Sequence, residues 1–425
     1  MASEETEVLV IGAGQAGLAM SAHLTDRGIP HIVLERHRIA ERWRSERWDS
    51  LVANGPAWHD RFPELEIEGV DRDGFATKDQ MVDYFVEYAE LIHSPVRIGV
   101  EVTSVRKRAG QLGFHIETTQ GAIDARYVVT ATGAFQIPVI PAAVPSDAGL
   151  KQIHSSAYRN PEQLPEGGVL VVGAGSSGVQ IADEIRRSGR PTYLSVGPHD
   201  RPPRSYRGHD FVWWLGVLGK WEASTPPEGA DHVTIAVSGA HGGRTVDFRV
   251  LAASGITLLG RTLSYEAGRL HFGSDLAANV TGGDASYLAL LDEADAFAEL
   301  NGLDLPEEPE ARLVGPDPAE FLDPTLEIDI AGSGIQSIVW ATGYTGDYGW
   351  LQVDAFDDAG RPVQQRGVSA AAGLYFLGLP WQSRRGSSFV WGVWHDAKYV
   401  ADQIAIQRAY LGEVVPLSVE AGATS

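Results

Sequence analysis

Two glycine-rich loops of one pattern constrain this chain more than any other feature. The first loop reads GAGQAG at residues 12–17, and the second reads GAGSSG at residues 173–178. Each loop follows a short apolar run that predicts a buried strand, and each leads into a helical pattern. Small residues let the backbone approach a pyrophosphate, and the helix presents the positive end of its dipole to it. The two loops therefore predict two dinucleotide-binding units in one chain.

An acidic residue follows the first loop at the spacing of a dinucleotide fingerprint. A second apolar strand, residues 32–34, ends at Glu35, roughly 20 residues beyond the loop, where a carboxylate accepts hydrogen bonds from ribose hydroxyls. This unit is interpreted as a site for FAD or NAD. Its candidate cofactor-binding residues are Gly12, Gly14, Gln15, Gly17, Glu35 and Arg36.

The second loop lacks an acid at the corresponding place. Its second strand, residues 193–196, is followed by Arg201 and Arg204. An arginine there can pair with a 2′-phosphate, which favours NADPH, although both arginines could instead be solvated loop residues. The candidate residues of this unit are Gly173, Gly175, Ser176, Ser177, Gly178, Arg201 and Arg204.

Two strands end in the same tripeptide, Ala-Thr-Gly, at residues 131–133 and 341–343. A small-residue turn of this kind allows a second chain segment or a cofactor phosphate to approach closely, although a simple turn would read the same way. The candidate residues in these turns are Thr132, Gly133, Ala341, Thr342 and Gly343.

A helix is predicted near the end of the chain, with Ser387 and Ser388 as hydroxyl caps at its start. Its free N-terminal amides could meet the edge of a flavin, or the serines could be ordinary caps. The predicted buried face consists of Phe389, Val393, Ala397, Val400 and Ile404.

The rest of the chain gives an outline of the domains. A helix carries an apolar stripe at Met81, Tyr84, Phe85, Tyr88 and Leu91, and strands are expected at 96–100, 101–105, 114–118 and 125–130. The Pro- and Gly-rich segment 161–168 predicts a domain boundary. The aromatic segment 211–221 is too short to span a bilayer and is expected in the core, with a substrate-facing or membrane-touching lid as the alternative.

Composition restricts the partners. With 425 residues, two or three domains are expected. The formal charge of −22 and the pI near 4.9 argue against nucleic acid and anionic membranes, because the field of the protein repels phosphate. The sequence shows no signal-peptide pattern and no long apolar run, so a cytoplasmic location is expected. The histidines show no ligand spacing, so no metal is expected.

The chain contains no cysteine. Many flavoproteins with two dinucleotide sites pass electrons to a disulfide, and this chain cannot do so with its own side chains. Its electrons must go to oxygen, a quinone, another protein or an organic substrate.

With both loops and both Ala-Thr-Gly endings, the whole chain resembles the flavin-dependent monooxygenases of the flavin-containing and Baeyer–Villiger class. The resemblance implies an α/β fold with two Rossmann-like domains, in which an NADPH domain is inserted into a discontinuous FAD domain. It places the FAD domain at 1–160 and 325–425, and the NADPH domain with its aromatic-rich insertion at 161–324.

The resemblance also assigns roles to single residues. His154, with Tyr158 four positions later, matches the second half of the linker signature of the class, whereas Ala148 and Leu150 depart from its first half. A lone histidine beside a linker could also be structural. Trp43 lies in a stretch that resembles the tryptophan segment lining the FAD. Asn54 resembles the active-site asparagine of these enzymes, although an Asn-Gly-Pro sequence is also good turn chemistry.

The activity implied is transfer of hydride from NADPH to FAD, formation of a C4a-hydroperoxyflavin, and insertion of one oxygen atom into a small organic substrate. N- or S-oxidation is favoured by Tyr158, and Baeyer–Villiger oxidation of a ketone or 2-oxo acid remains open. An electron-transfer reductase that inserts no oxygen is the alternative of another class, and a dinucleotide sensor without catalysis is a third. The expected partners are the substrate and O2; the sequence does not determine the oligomeric state.

Overall fold

The computed structural model describes residues 3–224 and 234–414, so the predicted domain ranges include some residues outside the described part. The helices of that part are α1 (Gln15–Asp26), α2 (Glu41–Ser45), α3 (Lys78–Leu91), α4 (Ser176–Arg187), α5 (Phe211–Val217), α6 (Phe248–Ala253), α7 (Leu276–Leu300), α8 (Ile330–Ser333) and α9 (Val390–Val414). Its strands are β1 (Glu4–Ile11), β2 (His31–Glu35), β3 (Val96–Ile98), β4 (Val102–Lys107), β5 (Phe114–Thr118), β6 (Gly121–Thr130), β7 (Ile137–Pro138), β8 (Lys151–His154), β9 (Gly168–Val172), β10 (Thr192–Ser195), β11 (Ser205–Tyr206), β12 (His209–Asp210), β13 (Ile256–Leu259), β14 (Thr262–Glu266), β15 (Arg269–Phe272), β16 (Glu327–Asp329), β17 (Ile335–Trp340), β18 (Tyr344–Thr345), β19 (Leu351–Gln352), β20 (Gln364–Gln365), β21 (Val368–Ser369) and β22 (Leu374–Phe376).

The first compact unit is built on a mixed sheet. It comprises the described residues of Met1–Ala40, Phe85–Ala134 and Asp347–Ser425. Strands β3, β2, β1 and β6 lie side by side in parallel, and β22 pairs with the second half of β6. Strands β4 and β5 extend the sheet in antiparallel fashion. Because parallel strands end at one edge, the loop after β1 and the turn after β6 lie side by side.

The second compact unit contains a fully parallel sheet in the order β13-β10-β9-β17-β8. It comprises Glu41–Tyr84 and the described residues of Phe135–Gly346. Valine and leucine fill β9, which is buried along its whole length, as expected for a central parallel strand. The glycine loop 173–178 follows β9, and α4 begins inside that loop.

The α/β fold class with two Rossmann-like sheets is confirmed, and the first unit is discontinuous as predicted. The unit boundaries lie at other residues than the predicted 160 and 325. The segment 135–160 and the segment 325–346 group with the second sheet, because β8 and β17 pair there. The linker 161–168 therefore lies inside the second unit. Which cofactor each predicted range binds stays a prediction.

Most of the local predictions are confirmed. The helix stripe from Met81 to Tyr88 is buried in α3. The aromatic segment 211–221 contains α5 and part of a 3₁₀ turn, and its Phe211, Trp214 and Trp221 are buried whereas Trp213 is half-buried. Two residues predicted as buried are exposed. Leu91 is 49% exposed because it is the last residue of α3, and Phe389 is 43% exposed because α9 begins only after it.

No helix of the described residues is long and apolar enough to cross a membrane. Within residues 3–224 and 234–414, no three histidine or acidic side chains group as metal ligands.

A buried histidine couples the stability of the first unit to pH. The ring Nε2 of His23 on α1 lies 3.1 Å from the carbonyl oxygen of Trp394 on α9. Burial, and then the charge of Arg27, lowers the pKa of His23 to about 4 from the 6.5 of an unfolded chain. The unfolded state therefore binds more protons between these values, and the stabilisation is complete above pH 6.5 and lost as the pH falls towards 4.

We expect His23→Gln to remove this part of the pH dependence, because a glutamine amide donates to the same carbonyl at any pH. Between pH 7.5 and pH 5, the wild-type protein should lose about 2 kcal/mol more unfolding free energy than the variant. Urea titrations at both pH values measure the difference, with His37→Gln on the surface as the matched control. Equal losses in wild type and His23→Gln would contradict this role of His23.

Candidate functional site

The two glycine loops share one geometry at their first glycine. Gly12 has φ +107° and Gly173 has φ +123°, a region that favours glycine. A Cβ atom on Gly12 would lie 2.6 Å from the carbonyl oxygen of Ala131, and one on Gly173 would lie 2.5 Å from that of Ala341. The chain segment that closely approaches each Ala-Thr-Gly turn is thus the first glycine of a loop, Gly12 in one unit and Gly173 in the other.

The third glycine of each loop joins the helix to the preceding strand. A Cβ atom on Gly17 would lie 1.8 Å from the carbonyl oxygen of Gly12, and one on Gly178 would lie 1.8 Å from that of Gly173. No side chain fits at either position. The start of α1 and the start of α4 are therefore held against the ends of β1 and β9 in the same way.

The middle glycines differ between the loops. A Cβ atom on Gly14 would meet nothing within 4 Å, whereas one on Gly175 would lie 3.2 Å from Cγ2 of Thr234. In the second loop, the amide N–H of Ser176 donates to the carbonyl oxygen of Ile235 at 2.8 Å, and its hydroxyl donates to the same oxygen. The first loop thus fits an incoming pyrophosphate directly. The second loop already uses its first helical amide within the protein.

Glu35 lies beside the first loop as the fingerprint predicts. Its Oε2 accepts the amide N–H of Ala13 at 2.9 Å, and its Oε1 accepts that of His37 at 2.9 Å. A carboxylate oxygen has more than one acceptor site, so the group can still accept a ribose hydroxyl. Arg36 is exposed next to it.

Gln15 and Ser388, two predicted site residues of the first unit, are brought together. The Nε2 of Gln15 donates to the carbonyl oxygen of Ser388 at 2.7 Å. Their surroundings differ from the prediction, because Arg385–Ser388 form a 3₁₀ turn and α9 begins at Val390. The buried hydroxyl of Ser387 accepts the amides of Ser383 and Arg384, so it caps this turn rather than the long helix.

His154 connects the linker to the second Ala-Thr-Gly ending. Its Nδ1 accepts the amide N–H of Ser156 at 3.1 Å, which leaves the proton on Nε2 to be donated to the carbonyl oxygen of Gly343 at 3.0 Å. Burial lowers the pKa of His154, so the ring is neutral at pH 7. His154 thus positions the turn at 341–343, where the hydroxyl of Thr342 donates to the carbonyl oxygen of Val139.

The predicted 2′-phosphate partners are neither exposed nor solvated. Arg201 is 3% exposed and pairs with Asp284 at 2.6 Å. Arg204 is 5% exposed and holds both oxygens of Asp210, at 2.5 and 2.6 Å. A phosphate could reach either guanidinium only after a buried ion pair had opened. The geometry therefore disfavours the predicted coenzyme contact, and the alternative of solvated loop residues is wrong.

Asn54 is held by two elements of the second unit. Its carbonyl oxygen accepts from Nη1 of Arg204 at 2.7 Å, and its side-chain Oδ1 accepts from Nε2 of Gln180 on α4 at 2.8 Å. The same Nε2 lies 3.2 Å from the carbonyl oxygen of Val237. The residue is therefore fixed in a polar network, which a simple turn residue would not require.

The remaining predicted residues have local roles that no ligand contact tests. Trp43 packs on the core of the second unit with Trp48 and Leu51. Ser177 lies in the first turn of α4. Gly133 has φ +78° in the turn after β6, next to Thr132.

Gln180 and Asp284 belong to these networks but were not predicted from the sequence. Gln180 lies between the buried residues Val179 and Ile181, and Asp284 lies on the apolar stripe of α7 with Val280 and Leu291. A polar residue within a run of buried positions requires a hydrogen-bond partner. Its place in an apolar run was therefore the sequence signal that could have identified each of these residues.

Comparisons with known proteins agree with this arrangement. Residues 9–201 match the family model described as pyridine nucleotide-disulphide oxidoreductase. An uncharacterized CzcO-like oxidoreductase from Geobacillus kaustophilus is 35% identical, covering 94% of this chain and 98% of its own. The indole-3-pyruvate monooxygenase YUCCA1 from Oryza sativa is 33% identical over 44% of this chain and 47% of its own length.

Solved structures share the fold. A flavin-containing monooxygenase from Stenotrophomonas maltophilia superposes with a TM-score of 0.66 at 16% identity, covering 95% of this chain and 99% of its own. The bacillithiol disulfide reductase of Bacillus cereus superposes with a TM-score of 0.60 at 18% identity, covering 95% of this chain and 100% of its own.

The fold and the paired loops define an oxidoreductase with two dinucleotide sites, and the predicted resemblance to the flavin monooxygenases is confirmed. The predicted cofactors, FAD and NADPH, agree with these matches. The chain belongs to the family of CzcO-like oxidoreductases.

We expect Gly14→Ala and Gly17→Ala to separate binding from folding at the first loop. Gly14 has open space and an extended backbone (φ −87°), so Gly14→Ala should keep its stability but bind FAD about tenfold more weakly. Gly17→Ala should also lose at least about 2 kcal/mol of unfolding free energy, because its methyl group collides with backbone. Urea unfolding and FAD titration of the apoprotein measure the two effects. Equal stability of both variants would contradict the geometry.

We also expect Asp284→Asn to destabilise the second unit strongly. Asp284 neutralises both Arg201 and Arg249, and all three groups are buried. Removing its charge should cost about 3–5 kcal/mol, measured by urea unfolding. Asp292→Asn, on the same helix, breaks an exposed pair with Arg312 and should cost less than about 1 kcal/mol. A cost at Asp284 no larger than at Asp292 would show that Arg201 is not held by this pair.

Proposed function

We propose that this protein is an NADPH- and FAD-dependent monooxygenase that inserts one oxygen atom into a small organic substrate, by N- or S-oxidation. The observation that carries the proposal is the pair of glycine loops. Each loop follows a parallel strand of its own sheet and packs on its own Ala-Thr-Gly ending, so one chain offers two separate dinucleotide sites. Such a pair suits a resident flavin and a nicotinamide coenzyme that reduces it.

The residues of the first loop fit the pyrophosphate and ribose of FAD. Gly14 leaves room for close approach, and the amides at the start of α1 supply the positive end of the helix dipole. Glu35 accepts from the ribose hydroxyls. Gln15, held by Ser388, keeps the start of α1 and the turn before α9 in fixed register.

The second loop, by the same logic, takes NADPH. Its amides would bind the pyrophosphate once the carbonyl of Ile235 has moved from Ser176. A preference for NADPH over NADH rests on the predicted pairing of Arg201 or Arg204 with the 2′-phosphate. That pairing would require the guanidinium to leave Asp284 or Asp210, so it stays a prediction.

Bound FAD would supply the redox chemistry: the hydride taken from the coenzyme provides the two electrons with which one atom of O2 is inserted into the substrate while the other leaves as water. Asn54 would donate a hydrogen bond from Nδ2 to oxygen in the active site, which would slow the release of hydrogen peroxide. The names of relatives and neighbours, which include an indole-3-pyruvate monooxygenase and a steroid monooxygenase bound to NADP, support this class of reaction.

Two alternatives remain defined by their products. Baeyer–Villiger oxidation of a ketone or 2-oxo acid would use the same residues on another substrate. An electron-transfer reductase would insert no oxygen and release electrons to a quinone or another acceptor. Without cysteine, the chain itself cannot form the dithiol that many related reductases use. A cytoplasmic location remains a prediction.

The test is anaerobic reduction of the FAD-loaded protein by NADPH, followed by rapid mixing with ¹⁸O2. We expect a transient spectrum that differs from those of oxidised and reduced flavin, and one labelled oxygen atom in the product of an amine or sulfide. Label in an ester made from a ketone would select the Baeyer–Villiger reaction. Single-step reoxidation with stoichiometric peroxide and no labelled product for any substrate would favour the reductase.

A further inference from the structure

We infer that Gln180 is a positioning residue that orients the amide of Asn54, so that Nδ2 rather than Oδ1 is left to donate a hydrogen bond in the active site. The inference rests on the proposed function, in which Asn54 is the active-site amide. It concerns the direction of one side chain, which a resemblance to a motif does not determine.

The orientation of Gln180 follows from Val237. The carbonyl oxygen of Val237 can only accept a hydrogen bond, and it lies 3.2 Å from one terminal atom of Gln180. That atom must therefore be the nitrogen, Nε2. The same Nε2 lies 2.8 Å from the side chain of Asn54, so its second proton is donated there.

The orientation of Asn54 follows in turn. The Asn54 atom that faces a donor must be the oxygen, Oδ1, and Nδ2 then points elsewhere. The backbone cannot turn to change this, because Arg204 donates to the carbonyl of Asn54 at 2.7 Å. Arg204 is itself held by Asp210 and lies over the rings of Phe75 and Phe211.

Asn54 differs in this respect from every other asparagine of the chain. The others are Asn160, Asn279 and Asn301, and each donates from Nδ2 to a protein oxygen. Among the described residues, Nδ2 of Asn54 has no acceptor. An amide that is anchored at its oxygen and lacks an acceptor at its nitrogen is prepared to donate to a ligand.

Gln180 lies at the right place for this task because of the glycine loop. It is the fifth residue of α4, whose start is held by the contact between Gly178 and Gly173. It is 8% exposed and lies between the buried apolar residues Val179 and Ile181. The binding loop of the second unit thus also determines the orientation of Asn54.

The test replaces Gln180 by methionine, which has similar length and no donor, with Gln111→Met at an exposed site as the matched control. Gln180→Glu serves as a second variant, because a carboxylate cannot donate to Oδ1. Asn54→Ala and the double variant Asn54→Ala/Gln180→Met complete a cycle. Bound FAD and the melting temperature show that each variant is folded.

The first readout is independent of activity. With ¹⁵N-asparagine labelling, the chain gives only the four side-chain amide signals of Asn54, Asn160, Asn279 and Asn301. We expect Gln180→Met to shift the Asn54 pair and speed its amide rotation, and to leave the other three unchanged. An unchanged Asn54 pair in Gln180→Met would overturn the inference, whatever the kinetics show.

The second readout uses NADPH and oxygen alone, because the substrate is not identified. In Gln180→Met, the rate of flavin reduction without oxygen should equal that of wild type, whereas hydrogen peroxide release under air should rise about tenfold, towards that of Asn54→Ala. The double variant should release peroxide no faster than Asn54→Ala. Additive effects in the double variant would overturn the inference.

The two proposals fail in different ways. If Asn54→Ala accelerates peroxide release and Gln180→Met does not, the monooxygenase proposal stands and the inference about Gln180 is wrong. If wild type and Asn54→Ala release peroxide equally fast, with no oxygen insertion, the proposed function fails. The inference then fails with it as a statement about catalysis, even where the amide signals of Asn54 respond to Gln180.

Discussion

The contact between the third glycine of each loop and the carbonyl oxygen of the first is the constraint on which the rest of this structure depends. At Gly17 and at Gly178 even one methyl group would lie within bonding distance of a backbone oxygen. In each unit, the contact brings the first turn of a helix to the end of a strand, where the N-terminal amides of that helix begin. Other residues are placed relative to these helix starts. In each unit an Ala-Thr-Gly ending packs on the first glycine of the loop. In the second unit, His154 also holds that ending, and Gln180 lies one turn along α4.

The two glycine loops share this backbone geometry but differ in what surrounds them. In the first loop, the space beside Gly14 is open, whereas in the second loop the amide of Ser176 already donates to the carbonyl oxygen of Ile235. Under the proposed function this difference has a use. A flavin stays bound through many turnovers, but a nicotinamide coenzyme must bind and leave in each one. The coenzyme must replace an internal hydrogen bond when it binds, which weakens its binding by about 1 kcal/mol. Weaker binding favours release of the coenzyme after each turnover.

Local patterns predicted most of the fold because they report local physics. The loops, the buried parallel strands and the apolar stripes of the helices could be predicted from residue spacing alone. Local spacing did not predict the buried ion pairs of the second unit. Arg201 and Arg204 follow the strand where a 2′-phosphate is expected, but Asp284 on α7 neutralises Arg201, and Asp210, six residues further along the chain, neutralises Arg204. The prediction that Ser387 and Ser388 cap the long C-terminal helix was wrong because Ser387 caps a 3₁₀ turn, which has no periodic sequence pattern.

The orientation of the Asn54 side chain could not be predicted from sequence patterns. A motif can indicate an asparagine, but it does not show which way the donor and acceptor ends of its amide point. That direction depends on Gln180, 126 positions further along the chain, and on the carbonyl of Val237, another 57 positions on. Burying a glutamine between apolar neighbours costs free energy unless its groups are paired. The sequence therefore shows that Gln180 needs partners, and only the folded chain shows that satisfying them leaves the nitrogen of Asn54 as the free donor.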